Sequence, residues 1–543
     1  MGTLNSESQQ TTEVLSINGL SIPPLKVEAN NSVGKIIHII RPEKYVQVVS
    51  QNQINISPRI RENLYVLDNG ENIIISDRKI KTRPDGVDGI LIKTSENSLR
   101  WTSHKLIDEF HDKTNELKQY SEGITKSWIG QFKYNSESHT DEGNILLPGL
   151  RPPQIGGLHS IGAHWSTNSQ VATIVMPTGT GKTETMISAL VAHTLKHVLV
   201  VVPSRVLRDQ TYDKFANLGK LRELGCIDSN MANPVVGVLK KQIVSHEQLD
   251  IFDKCNVVIS TMSALTGKET KSLISQIADK IDALYIDEAH HIGAESWTEF
   301  REYFKNCKVL QFTATPYRSD GVIVDGKVIF EYSLQQAQVD GYFKHINFLP
   351  VNEIDRSDAD KAIATTAIKK LTEDIGKNLN HVMMARCSNI NRANELLSLY
   401  RALAPNLNPV LVNSEISNTT PIIENIRKGN HKIVVCVNML GEGFDLPELK
   451  IAALHDSHKS LAVLLQFIGR FTRTSNSNIG DATVVANIDD DSTMSSLEKL
   501  YSEDADWNKV LSEFSSEAAK SHRALIDFLN ESTKYEKTNN EET

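Results

Sequence analysis

A chain of 543 residues, 40% hydrophobic and 23% charged, has the composition of a folded globular protein and is long enough for about three or four domains. Its formal charge of −9 excludes a binder that works by bulk attraction to polyanions, but not one that grips a phosphate backbone locally through hydroxyls, main-chain amides and a few arginines. The five cysteines, Cys226, Cys255, Cys307, Cys387 and Cys436, contain no C-x-x-C pair, which argues against zinc-knuckle and iron–sulfur ligand sets and reads as the reduced thiols of a cytosolic protein.

The N-terminal MGTLNSESQQ lacks the charged-then-apolar pattern of a signal peptide, and no apolar run approaches the roughly 18 residues of a membrane span. Residues 1–145 read as a β-rich accessory module and linker. Short β-type runs (35-GKIIHIIRP, 63-NLYVLD, 72-NIIISD) lie between turn residues, a polar amphipathic helix follows over 104–121, and 134-YNSESHTDEGN closes the segment. Asp85, Asp88 and Lys93 only faintly resemble a nuclease metal site, because the second acid is missing. Trp101, Trp128, Phe132 and Tyr134 are expected in the core rather than in a stacking platform.

From 146 to 330 apolar strands alternate with amphipathic helices: 171-VATIVMP, 198-VLVVVP, 256-NVVIS, 283-ALYID and 309-VLQFTAT. The alternation restarts over 331–490 with 346-INFLPV, 381-HVMMARC, 409-PVLVN, 431-HKIVVCVN and 451-IAALHDS. Unbroken Val/Ile runs between helices imply parallel sheets buried on both faces, hence two successive α/β domains. Residues 491–543 turn helical and end in a polar tail. The acidic run Asp489, Asp490, Asp491 reads as a solvated loop.

The chemistry begins where the strand 171-VATIVMP runs into Thr178, Gly179, Thr180, Gly181, Lys182 and Thr183 and then a helix. In that context glycines let main-chain amides curl around phosphates, a lysine reaches the β- and γ-phosphates, and a threonine hydroxyl ligates Mg²⁺. Met176 stands where the strict phosphate-loop pattern has glycine. About 105 residues on, the strand 283-ALYI ends in Asp287 and Glu288, placing acids at the crevice where nucleotides bind. Asp287 would hold Mg²⁺ and Glu288 would activate the attacking water. Further along, 459-KSLAVLLQFIGR carries an apolar stripe that leaves Gln466, Arg470 and Arg473 off it, and such arginines opposite a phosphate loop act as arginine fingers. His290 and His291 lack the H-E-x-x-H spacing of a zinc peptidase.

Together these motifs resemble a superfamily 2 DEAD/DEAH-type helicase core over residues 150–475. Gln154 in 150-LRPPQ resembles the glutamine that reads adenine; 176-MPTGTGKT resembles motif I, in which related families tolerate Met at the first position. Ser204 and Arg205 in 203-PSRVLRDQ, and Ser260 with Thr261, resemble motifs Ia and Ib, which contact the nucleic-acid backbone. 287-DEAH resembles motif II, and Thr313-Ala314-Thr315 motif III; His290, Thr313 and Thr315 would couple the nucleotide state to the bound strand. 434-VVCVNMLGEGFDLP resembles motif V, with Gly443 and Asp445 in nucleotide-contacting positions, and 466-QFIGRFTR resembles motif VI.

The resemblance implies two tandem RecA-like P-loop domains, ATP and Mg²⁺ as cofactors, and a nucleic-acid partner. The stretch 313-TATPYRSDG is similar to the restriction-enzyme ResIII-type and repair-type DNA translocases, so DNA is favoured. A role in restriction, genome defence or repair, beside a partner protein supplying nuclease activity, follows by the same analogy. The alternatives are an RNA helicase and a nucleic-acid-gated ATPase switch without processive unwinding.

Overall fold

The computed structural model describes residues 19–487 apart from 59, 95–97, 113–115, 141–144, 168–169, 290–298, 315–323, 343–345, 354, 413–419, 438–445, 447 and 457–479. Its largest sheet has nine strands. Seven run parallel, in the order Lys327–Glu331, Ala172–Val175, Lys308–Thr313, Ala283–Ile286, Val198–Val202, Val257–Thr261 and Val235–Leu239. Every residue of the strands Ala172–Val175, Val198–Val202 and Val257–Thr261 is buried, because helices such as Pro152–Thr167, Lys182–Ala192 and Arg205–Ala216 flank the sheet. Burial on both faces is why these strands read as continuous apolar runs instead of alternating ones.

The reading of residues 1–145 as a module of its own needs correction. Gly34–Arg41 pairs antiparallel with Val235–Leu239, and Leu25–Asn31 follows it, so two N-terminal strands complete the first α/β sheet. They cover backbone groups that an edge strand would otherwise leave open. The attachment is built from buried polar bonds: Asn233 Nδ2 donates to Ile39 O at 2.8 Å, and His38 Nδ1 donates to Pro234 O at 3.2 Å. The helix expected over 104–121 is also divided, into Lys105–Asp112 and Leu117–Ser127. The second of these is tied to the same domain by Asn256 Nδ2, which donates to Ser121 O at 2.9 Å, and by the fully buried Trp128, whose Nε1 donates to Ala232 O at 2.8 Å.

What remains of the N-terminal region is a five-stranded sheet, Val48–Ser57, Ile60–Leu67, Asn72–Ser76, Gly89–Lys93 and Leu99–His104, with its own core around Tyr65, Leu67, Ile73 and Leu91. Asp88 serves this fold: it accepts from Asn72 N at 2.7 Å and pairs with Lys105 at 2.7 Å. Among the described residues no cluster of three or more His, Cys, Asp or Glu could hold a metal, and no helix is long and apolar enough to cross a membrane. All five cysteines are free and buried.

The second α/β unit is a six-stranded parallel sheet in the order Ile346–Val351, Ala482–Asn487, Leu449–Leu454, Val382–Cys387, Ile433–Val437, Val410–Val412. Asp355 and Asn389 cap its helices Arg356–Gly376 and Ile390–Leu403, each accepting from first-turn amides. Residues 491–543, expected to be helical, lie outside the described residues.

His38 makes the graft of the N-terminal strands sensitive to acid. Burial holds its imidazole pKa down to about 4, and its Nε2 accepts from Tyr120 Oη at 3.0 Å. A histidine whose pKa is lowered in the folded state stabilises the fold above its unfolded value of 6.5, and that stability is lost as pH falls toward about 4. Between pH 6.5 and pH 5 the loss is expected to be about 2 kcal/mol. Urea unfolding of the wild type and of His38→Gln at pH 7.5 and 5 checks this; the same pH dependence in both would exclude His38 as the cause.

Candidate nucleotide site and the edge of the first sheet

Parallel strands deliver their C-terminal ends to one edge of the sheet, and the chemistry gathers there. Ala172–Val175 leads into residues 176–181, and the helix Lys182–Ala192 follows. Gly179 and Gly181 have φ of 98° and 99°, values that side chains oppose. A Cβ at Gly181 would also stand 2.1 Å from Gln154 Nε2. Met176 has no such requirement: its side chain is wholly buried and its N–H donates to Thr313 O at 2.9 Å, extending the ladder between the two strands. The glycines that the loop needs are therefore at 179 and 181, which is why methionine fits at 176. Thr180 closes the turn, its Oγ1 donating to Pro177 O at 2.7 Å, while Thr178 Oγ1 is buried with no partner among the described atoms.

Lys182 Nζ donates to Glu288 Oε1 at 2.9 Å, with both residues buried. The acids come from the end of Ala283–Ile286, two strands away from the loop in the sheet order. Asp287 N donates to Val201 O at 2.9 Å, and Asp287 Oδ1 accepts from Glu288 N at 3.0 Å. Glu288 sits at φ 51°, a left-handed conformation uncommon for a residue with a Cβ, so the backbone carries strain at this acid. Burial, reinforced by the neighbouring Glu288 charge, raises the Asp287 carboxyl to about 7. Lys182 compensates one of two buried carboxylates, and a divalent cation would compensate the second. The donor set fits Mg²⁺: Asp287, the half-buried Thr183 at the helix start and the unpartnered Thr178 hydroxyl are all hard oxygens at the C-terminal edge of the first sheet.

Gln154 is turned toward the protein. Its Oε1 accepts from Arg151 N at 2.8 Å and its Nε2 donates to Gly181 O at 3.4 Å, so its carboxamide braces the phosphate loop. Beside it is a group that the sequence does not single out. Arg151 Nη1 donates to Gly179 O at 3.2 Å, and its guanidinium lies 4.7 Å from the centre of the Tyr342 ring. The Tyr342 hydroxyl donates to Glu137, linking the phosphate loop to the connector before the second domain and to the segment before the first. Arg151 stands three residues from Gln154 in 150-LRPPQ, but no spacing announces Tyr342.

Residues 147–318 match the family of type III restriction enzyme res subunits, and residues 366–475 match the helicase conserved C-terminal domain. The chain belongs to the superfamily 2 helicases. UvrABC system protein B of Chlamydia trachomatis is 31% identical over 123 residues, 22% of this chain and 15% of that protein. The 51.5 kDa protein of a Lactococcus phage is 22% identical over 232 residues, 40% of this chain and 51% of that one. This chain therefore spans no more than about half the length of either relative. A solved fragment of an HsdR subunit of a type I restriction enzyme from Vibrio vulnificus covers 86% of this chain and 88% of its own at 16% identity, with a TM-score of 0.46.

In this helicase core the residues expected to touch nucleic acid divide by accessibility. Arg205 is exposed. Ser204 caps its helix, accepting from Leu207 N at 3.3 Å. Ser260 is fully buried and donates to Thr261 O at 3.0 Å, and Thr261, 4% exposed, shares a 3.1 Å bond with the Ser263 hydroxyl. The Ser260 hydroxyl thus faces the interior, a correction to the expectation of a backbone contact there, since an apolar β-strand buries its side chains on both faces. Thr313 is buried beside the phosphate-loop strand, in register with Val175. His290, Thr315, Gly443, Asp445, Gln466, Arg470 and Arg473 lie outside the described residues.

Proposed function

We propose that the protein is an ATP-driven nucleic-acid motor that hydrolyses Mg²⁺-ATP and acts on DNA. The observation that carries this reading is the buried Lys182–Glu288 pair beside Asp287, set on glycine-shaped turns at the same sheet edge as Arg205. In this arrangement the base is held by the phosphate-binding lysine. A bound γ-phosphate competes for the Lys182 ammonium, and as Lys182 turns to it Glu288 is released to orient and deprotonate water. Bound Mg²⁺ supplies charge neutralisation of the phosphate oxygens. Arg151 fixes the Gly179 peptide and Gln154 fixes Gly181, so the loop amides are held ready for the phosphates.

Arg470 and Arg473, with Gln466, are assigned to the opposite side of the nucleotide, and Gly443 and Asp445 to its contact with the second domain, on the motif resemblance. Thr313, whose carbonyl accepts from Met176 N, with Thr315 in the same motif and His290 just after Glu288, is assigned on the same resemblance to carry the nucleotide state toward the bound strand. DNA is favoured because the first domain matches the restriction-enzyme res family and 313-TATPYRSDG keeps that branch's wording. A role in restriction, defence or repair, with a partner supplying nuclease activity, is the setting this suggests.

The test is Mg²⁺-dependent ATP hydrolysis without polymer and with single-stranded DNA, duplex DNA or RNA. Stimulation by DNA alone is the expected result. Stimulation by RNA alone would replace DNA in the reading, and hydrolysis indifferent to every polymer would favour a partner-gated switch.

A further inference from the structure

The chain that joins the two α/β units is packed against the phosphate loop. After Lys327–Glu331, the outermost of the parallel strands, Tyr332 N donates to Val175 O at 3.0 Å, so the connector starts beside the strand that opens the loop. The short helix Leu334–Val339 follows, with Ala337 fully buried. Asp340 braces it, accepting from Tyr332 Oη at 2.6 Å and from Gln336 Nε2 at 2.7 Å. Gly341 then turns the chain at φ 77°, and Tyr342 N donates to Ala337 O at 2.8 Å, closing the helix end. These bonds set Tyr342 just before Ile346–Val351, the first strand of the second unit in chain order.

The Tyr342 ring meets a guanidinium that holds the loop. Arg151 Nη1 donates to Gly179 O at 3.2 Å, and the guanidinium lies 4.7 Å from the ring centre. Among the described residues Arg151 has no carboxylate in ion-pair contact, and the electron-rich ring face is what its charge meets. The other end of the tyrosine is tied as well: its hydroxyl donates to Glu137, whose side chain is 6% exposed. Burial and that bond raise the phenol's pKa, which keeps it a donor.

Glu137 and Arg151 sit on neighbouring segments. Glu137 N donates to Leu150 O at 3.0 Å, and Leu150 N to Asn135 O at 2.7 Å. Gly149 comes so close that a Cβ would stand 2.2 Å from the Ser136 carbonyl carbon. Tyr342 therefore bridges this clasped pair, with its ring on one segment and its hydroxyl on the other. The Gly179 carbonyl that Arg151 holds matters to a phosphate, because a peptide oxygen facing the nucleotide repels it and loop amides bind only with their carbonyls turned away. At φ 98° Gly179 has no side chain to fix that peptide by packing, so the guanidinium is its restraint.

We propose that Tyr342 is a positioning residue for ATP binding that acts through Arg151: its ring keeps the guanidinium on the Gly179 carbonyl and so anchors the phosphate loop to the connector of the second unit. A change in the connector thereby reaches the loop amides through one side chain. This rests on the ATP-site reading above.

The experiment uses the full chain and compares wild type, Tyr342→Leu, Tyr342→Phe, Arg151→Ala and Arg151→Ala/Tyr342→Leu. Leucine fills the space without a π face, whereas phenylalanine keeps the face and loses only the hydroxyl. Kd for a fluorescent ATP analogue is measured beside kcat and KM for Mg²⁺-ATP with oligo-dT present, and the thermal midpoint reports folding. Tyr342→Leu is expected to raise Kd and KM about 5- to 10-fold with kcat within about twofold of wild type, and Tyr342→Phe to restore both to within about twofold. The double variant is expected to bind no more weakly than Arg151→Ala alone, because the tyrosine acts through the arginine. Tyr342→Met, which also lacks a π face, replaces Tyr342→Leu if that variant does not fold. A wild-type Kd without the ring, a Tyr342→Phe as weak as Tyr342→Leu, or losses that multiply in the double variant each overturn the proposal while leaving the motor reading intact. A wild type that binds no ATP overturns both.

Discussion

Glu288→Gln is expected to lower kcat for ATP hydrolysis by about 10²- to 10⁴-fold while leaving ATP affinity equal to the wild type or tighter. The geometry gives both halves of this outcome. Glu288 is the carboxylate that accepts from the Lys182 ammonium, and glutamine keeps its size but cannot take a proton. The Lys182 ammonium, which now donates to Glu288 at 2.9 Å, would lose its charged partner and meet incoming phosphate with less competition. Steady-state hydrolysis together with equilibrium binding of a fluorescent ATP analogue reads the two effects separately. A kcat within threefold of wild type would remove Glu288 from the role of base.

Lys182→Ala is expected to abolish measurable hydrolysis and weaken ATP binding, and also to destabilise the empty protein. Removing one member of a buried ion pair costs about 3–5 kcal/mol when the other is left charged and unpaired. Here two carboxylates would remain, and Asp287 already has its pKa raised to about 7 by burial and by Glu288. A carboxyl raised in the folded state costs nothing below its unfolded value of 3.8, and its penalty grows as pH rises toward about 7. The variant's deficit in thermal midpoint should therefore widen from pH 5 to pH 8. Lys182→Ala/Glu288→Gln should recover much of the stability and none of the activity, because the two residues are coupled. A single variant as stable as wild type at pH 8 would show that the pair carries no such stabilisation.

How much of this was legible in the sequence differs from residue to residue. Gly179, Gly181, Lys182, Asp287 and Glu288 are legible as candidates because each sits within a few residues of the end of a strongly apolar strand, where local spacing brings them to one edge. Gln154 was found by resemblance, but its use in bracing Gly181 O was not, since a carboxamide can serve a ligand or a loop equally well. Ser260 was misplaced: the sequence shows a serine at a strand end but not which side is covered. Tyr342, some 190 residues from Arg151, gave no periodic signal at all, although its ring lies against that guanidinium.

The sequence by itself determined the parallel strands of the two α/β sheets and the glycine-bearing loop that follows the strand Ala172–Val175. Hydrophobic runs and turn residues act over short separations, and burial on both faces leaves an unmistakable composition. Only the tertiary structure decided that residues 25–41 belong to the first sheet and that Trp128 and Asn256 fasten the second N-terminal helix to it. Those outcomes depend on contacts between segments far apart in the chain, from 104 residues for Trp128 with Ala232 to about 200 for the edge pairing of Gly34–Arg41 with Val235–Leu239. A β-strand's pattern declares which of its faces is apolar, but its backbone donors and acceptors are the same in every strand, so the partner is chosen by the fold.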